Sequence, residues 1–233
     1  MRAVLVTGGN RGIGLALVQA FLDRGDRVVA TARDPAKAAE LNAKAAQAPE
    51  RLAVVALDVA NPASVAGLAG RLTGAGVTAL DVLVNNAGII GPARQSTLDM
   101  DFDGFAETLA INTLGPLRVV QAVLPLLKAG RDAKILTITS AMGSMSHTTS
   151  DRIAYRTSKA AVNKLMQGLG TDLAPQGIAV AVAHPGWVRT DMGGQAAAVA
   201  PADSAAGLVG LIDRMAVGEP CSFHDWSGRA VPW

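Results

Sequence analysis

One cysteine, one tyrosine and three histidines are present among 233 residues. A single thiol rules out an internal disulfide framework and leaves a reducing interior open to the chain. Cys221 reads as a small hydrophobe near a last strand rather than as a nucleophile. Three scattered histidines without paired ligand spacing give no basis for a metal site, and none is expected. Aromatic residues make up only 3% of the chain, so its core must be built from Ala, Val, Leu and Ile.

Charge of one sign is also lacking. There are 21 basic and 19 acidic residues, a formal +2, with no Lys/Arg block that would bind nucleic acid or an anionic membrane surface, so neither partner is expected. No apolar stretch approaches the roughly 18 residues of a membrane span. The opening run, Met1 to Val6, is too short for a signal peptide and is broken at once by Gly8 and Gly9, so a cytoplasmic protein is expected.

Apolar residues are plentiful instead: 50% of the chain is hydrophobic and 17% charged, which suits one well-buried domain over residues 1–233. Short apolar runs recur at Ala3–Thr7, Arg27–Thr31, Leu52–Leu57, Ala79–Val84, Lys134–Thr139 and Ile178–Ala183, with a weaker seventh at Cys221–His224. They are continuously apolar rather than alternating, as strands covered on both faces require. Helix-like segments lie between them, opened by Asp34-Pro35 and Asn61-Pro62 and, before the sixth run, stopped by Pro175-Gln176-Gly177. The pattern predicts an α/β fold: a doubly wound parallel sheet of about seven strands with helices on both faces. The Ala-rich stretches at 36–48 and 196–206 read as helix surfaces or a mobile flap, the second following Gly193-Gly194.

Between the first strand and first helix stands Thr7-Gly8-Gly9-Asn10-Arg11-Gly12-Ile13-Gly14. Glycine removes the Cβ that would hold a pyrophosphate off the backbone, and the helix N-terminus offers it unpaired amides. A tight turn without ligand is the bland alternative; the position after a strand and before a helix favours dinucleotide binding. Further on, Ala154-Tyr155-Arg156-Thr157-Ser158-Lys159 puts the only tyrosine and a lysine four residues apart, on one helix face. A phenol titrates near about 10 by itself, so an ammonium beside it would bring its proton exchange toward neutrality. The pair alone could equally be an ordinary solvated one.

The glycine spacing, the Asn85-Asn86-Ala87-Gly88 segment, Ile138-Thr139-Ser140, Tyr155 with Lys159, and His184-Pro185-Gly186-Trp187-Val188-Arg189-Thr190 together resemble the short-chain dehydrogenase/reductase family along nearly the whole chain. The closest likeness is to its C-factor-like and sniffer-like carbonyl reductases. The resemblance implies a Rossmann fold and a catalytic set of Asn112, Ser140, Tyr155 and Lys159. Tyr155 would protonate the carbonyl oxygen, Ser140 would hold that oxygen, Lys159 would also bind the nicotinamide ribose, and Asn112 would help position a water. The implied cofactor contacts are Gly8, Asn10, Arg11, Gly12, Ile13, Gly14, Asp58, Val59, Asn85, Ala87, Gly88, Tyr155, Lys159, Pro185, Gly186, Val188 and Thr190.

Where NAD-binding members of that family carry an acid, the second strand ends in Ala32 and Arg33. A guanidinium there would pair with a 2′-phosphate, with Arg11 as a second cation, so NADP(H) is the expected cofactor. Asp34 stands where an acid often binds a free 2′-hydroxyl, but with Pro35 after it the residue reads as a helix cap. Asp58 reads as an adenine contact or as a cap. His184 reads as a strand-end residue with a structural hydrogen bond rather than as a base.

The fifteen-residue gap from Ser140 to Tyr155 implies an extra loop at 143–152 over the site, and the short segment 191–201 implies an open flap. The expected activity is NADPH-dependent reduction of an aldehyde, ketone or quinone. A cofactor-binding signalling or redox-sensing protein and an NAD-dependent alcohol dehydrogenase are the alternatives. By family analogy a homodimer or homotetramer is expected, formed through long helices near 102–128 and 154–174.

Overall fold

A computed structural model describes residues 1–233. Seven parallel strands form one sheet: β1 (Ala3–Val6), β2 (Arg27–Ala32), β3 (Leu52–Ala56), β4 (Val82–Asn85), β5 (Lys134–Ile138), β6 (Ala179–His184) and β7 (Ser222–Asp225). Their spatial order is β3-β2-β1-β4-β5-β6-β7. The chain winds outward from β1 to β3, returns to lay β4 on the other side of β1, and then winds the opposite way. A crevice therefore opens between the carboxyl ends of β1 and β4, where crossovers leave in opposite directions.

The strands are apolar throughout because both faces are covered. Leu5, Val29, Leu83, Ile135 and Val180 point into one core, while Val4, Val6, Val28, Ala30, Val82, Val84, Leu136 and Ile138 point into the other, the alternation a pleated strand imposes. The first core is closed by α3 (Pro62–Ala66), α4 (Leu68–Gly74), α6 (Gly115–Lys128) and α7 (Ile153–Leu173). The second is closed by α1 (Gly12–Asp23), α2 (Ala39–Gln47) and α8 (Pro201–Arg214). Phe21 is the one aromatic among the largest fully buried side chains, so the core is aliphatic, as the composition dictates.

The fourth strand starts three residues later than its apolar run. Asp81 interrupts it: its carboxylate accepts from the amides of Ala3 and Arg131, tying the entry of β4 to β1 and to the turn before β5. The stretch 102–128 is continuously helical: α5 (Phe102–Leu109), a π-helical turn at Ala110–Leu114, and α6. By length and hydropathy this helix could cross a bilayer, contrary to the expectation from sequence; half of its most apolar window is buried within the fold, as in a core helix.

Candidate active site

The carboxyl ends of β1, β2, β4, β5 and β6 open onto one cleft of about 1640 Å³. At one end lies the glycine turn. Gly8 and Gly12 have φ of +66° and +54°, which side chains rarely tolerate. A Cβ on Gly14 would collide with the Gly8 carbonyl oxygen, and one on Gly12 would come 3.2 Å from Thr190 Cγ2 across the cleft. The backbone at the head of α1 is thus bare toward the cleft, as the approach of a pyrophosphate requires. Arg33 is exposed on the same wall with Asp58 and Val59. The residues present fit a dinucleotide cofactor.

The other end holds the tyrosine. Helix α7 starts at Ile153, so Tyr155 sits in its first turn and Lys159 one turn on, both buried and both on the cleft wall. Lys159 Nζ donates to the Ile138 carbonyl at 2.9 Å and lies 5.6 Å from the Tyr155 ring centroid. Ser140 caps the turn after β5, its Oγ accepting from Met142 N at 3.1 Å, and its hydroxyl faces the phenol. Asn112 lies in the π-helical turn, 1% exposed. Its Oδ1 accepts from Ile89 N at 2.9 Å, and its Nδ2 donates to Ile89 O at 2.8 Å and to Ser158 Oγ at 3.0 Å. The wider turn lets an internal helix residue reach the β4 loop, the kind of use π-bulges serve at functional sites.

Burial dominates the electrostatics. It raises the Tyr155 phenol above its ordinary value, with the Ser140 hydroxyl and the Arg152 charge opposing. It also lowers the Lys159 ammonium to about 8. Lys159 is therefore not what shifts the phenol in the free protein, and the shift is opposite to the one expected from the i, i+4 pair. The low-polarity pocket disfavours both charged forms. A phenol held protonated through neutral pH is nevertheless the state a proton donor needs.

The short chain dehydrogenase family model matches residues 2–199. The chain belongs to that family. It is an oxidoreductase of the short-chain dehydrogenase type with a single-domain Rossmann fold. The C-signal protein of Myxococcus xanthus is 43% identical over 155 residues, spanning 66% of this chain and 93% of that relative. Among solved structures, the carbonyl reductase Sniffer of D. melanogaster is 33% identical with a TM-score of 0.92, each chain covered in full. A short-chain dehydrogenase/reductase from Burkholderia multivorans with bound NADP is also 33% identical, with a TM-score of 0.91 and full coverage of both chains.

Within this short-chain dehydrogenase, Gly8, Asn10, Arg11, Gly12, Ile13, Gly14, Arg33, Asp58, Val59, Ala87, Gly88, Ser140, Tyr155, Lys159, Pro185, Gly186, Val188 and Thr190 all line the cleft. Asn112 and Asn85 do not; Asn112 lies behind the wall, against Ile89. Asn85 is buried in β4, where its amide donates to Thr137 of β5 at 3.3 Å. Asn86, part of the same motif but not among the implied cofactor contacts, takes the role at the cleft: its Nδ2 donates to the carbonyls of Thr7 and Gly8 at 2.9 and 3.1 Å, bracing the glycine turn. Strand alternation turns these adjacent asparagines opposite ways, a distinction that composition cannot make.

Of the remaining expectations, some hold and some shift. Arg11 pairs at 3.2 Å with Asp191, linking the glycine turn to the segment after β6. Asp34 accepts from Ala36 N at 3.1 Å and caps a short 3₁₀ turn, while Asp58 accepts from Ala60 N at 3.0 Å. His184 lines the cleft with Nδ1 buried and unpaired, so the structural hydrogen bond expected of it is not formed there. Burial lowers its pKa, opposed by Asp225. Burial pushes the Cys221 thiol up to about 12, away from the thiolate a nucleophile needs.

The flap is tied down rather than loose. Arg189 and Val199 are bonded across it, Arg189 N to Val199 O at 2.9 Å, and Trp187 Nε1 donates to Gly193 O at 2.8 Å. Of the loop at 143–152, Arg152 borders the cleft.

Proposed function

We propose that this short-chain dehydrogenase reduces a carbonyl compound, an aldehyde, ketone or quinone, with NADPH, and that Tyr155 supplies the proton. The observation that carries this is the phenol kept neutral by burial, facing Ser140 at the end of a cleft whose opposite end is the bare glycine turn. NADPH, when bound, supplies the hydride. Ser140 and Tyr155 hold the substrate oxygen, and Tyr155 donates its proton as that oxygen gains charge. The Lys159 ammonium, charged below about 8, then stabilises the phenolate left behind. Asn112 fixes the loop at Ile89 beside the cleft.

Arg33 supports NADPH over NADH: it is exposed on the cleft wall and has no carboxylate partner, while the neighbouring Asp34 is engaged in its cap and with Lys37 at 3.1 Å. A solved neighbour also carries NADP. Self-association, as a homodimer or homotetramer, would use the long helices at 102–128 and 154–174, the first of which exposes Phe102 and Leu114, and a cytoplasmic location accords with such a role.

The test is NADPH oxidation against a panel of aldehydes, ketones and quinones. Turnover supports the proposal. NADPH binding without turnover on any of them favours a signalling role instead, the reading that the name of the C-signal relative suggests.

A further inference from the structure

The first turn of α7 has an unusual cap. A helix leaves its first amides without partners inside the helix, and a Ser, Thr, Asp or Asn just before it ordinarily accepts from one of them. Here the preceding residue is Arg152, in the left-handed region at φ 52°, and its side chain caps nothing. Gln95, 60 residues away in the loop after β4, does so instead. Its backbone carbonyl accepts from Ile153 N at 2.9 Å, and its side-chain Oε1 accepts from Tyr155 N at 3.1 Å.

The amide is held at its other end as well. Nε2 donates to Pro92 O at 2.7 Å and to Ile90 O at 3.2 Å, and the residue is 9% exposed. Gly91, at φ +89°, leaves the room: a Cβ there would stand 3.3 Å from Oε1 and 3.0 Å from Thr108 Oγ1. The carbonyl of Tyr155 is bonded too, by Ser158 Oγ at 2.7 Å, and Ser158 is in turn bonded by Asn112, which grips Ile89. Both backbone polar groups of Tyr155 thus lead back to one short segment, 89–95, whose first residues wall the cleft.

We infer that Gln95 is a positioning residue for the reaction: it sets the first turn of α7, and with it the placement of the phenol, from a segment whose first residues wall the cleft. This rests on the reductase reading above for its kinetic consequence but not for its structural one. Misplacing a reacting group by about an ångström is enough to cost about a hundredfold in rate. An unpaired buried Tyr155 amide gives the first turn a reason to move.

Tyr155 is the only tyrosine in the chain, so the ultraviolet tyrosinate band reports its ionisation alone. Gln95→Met fills the space without an acceptor; Gln95→Glu keeps the acceptor and, while its carboxyl is protonated, a donor toward Pro92 O. For Gln95→Met, kcat is expected to fall about ten- to a hundredfold, NADPH affinity to stay within about twofold, and the phenol titration to shift. Gln95→Glu should recover most of kcat at mildly acidic pH, where that carboxyl is protonated, and lose it as the carboxyl ionises against the Pro92 and Ile90 carbonyls. If both variants lose only thermal stability while kcat and the phenol titration match the parent, Gln95 is a structural cap and the inference is overturned. It is overturned equally if Gln95→Glu, folded and assayed at mildly acidic pH, is as impaired as Gln95→Met. A parent that binds NADPH yet reduces nothing, while Gln95→Met still shifts the phenol, sinks the reductase reading and leaves the positioning intact.

Discussion

The Lys159 ammonium stands 5.6 Å from the centre of the Tyr155 ring and is bonded to the Ile138 carbonyl, and burial lowers it to about 8. The lysine is thus placed to respond to charge that appears on the phenol rather than to create it beforehand. Desolvation disfavours the charged form of both, yet near neutral pH the amine is still charged and the phenol still neutral.

A pH dependence follows from that value. Below about 8 the ammonium is charged and can stabilise the phenolate formed on proton transfer; above it the amine is neutral and the stabilisation is lost. Reductive kcat/KM should therefore be level near neutrality and decline by up to about tenfold per unit at higher pH. A profile still rising well above pH 8 would contradict the assignment.

Cofactor choice is expected to reside in Arg33. On the proposed NADPH reading, replacing it with Ala would remove a charge-assisted contact to the 2′-phosphate and should raise KM for NADPH by at least about tenfold, with KM for NADH little changed. Steady-state kinetics with both nucleotides measure this. An equal loss for the two would place the effect in folding rather than in phosphate recognition.

Asn86→Ala leaves the Thr7 and Gly8 carbonyls without their donor. Stability should fall by about 1–3 kcal/mol, read by denaturant unfolding, and NADPH binding should weaken because the glycine turn loses its brace. Asn85→Ala is expected to spare NADPH affinity, since that side chain bonds Thr137 inside the sheet. Equal weakening by both changes would contradict this division of labour.

The sheet was legible because seven apolar runs had to be covered on both faces, and each became a strand within a few residues of its expected limits. The start of β4 was not, because Asp81, a side-chain cap acting across the sheet, leaves no mark in a hydrophobic pattern. The glycine turn was legible from its place between a strand and a helix, and the Tyr155–Lys159 pair from its spacing together with the family resemblance. Gln95 was not, since its two bonds to α7 cross 60 residues of sequence and it stands in a loop with no local motif. Nor could the sign of the phenol's shift be read from four-residue spacing, because it is set by how much of the fold closes over the ring. The π-helical turn that presents Asn112 is equally silent, as nothing in Ala110-Ile111-Asn112-Thr113-Leu114 breaks a helix.

The most direct measurement removes one oxygen atom. Tyr155→Phe keeps the buried ring in the first turn of α7 and deletes only the hydroxyl, so NADPH should bind within about twofold of the parent while carbonyl reduction falls at least about a hundredfold. NADPH binding by fluorescence and turnover on the best carbonyl substrate, measured on the same preparation, give both numbers. Parent-like turnover by the phenylalanine variant would mean that Tyr155 does not deliver the proton.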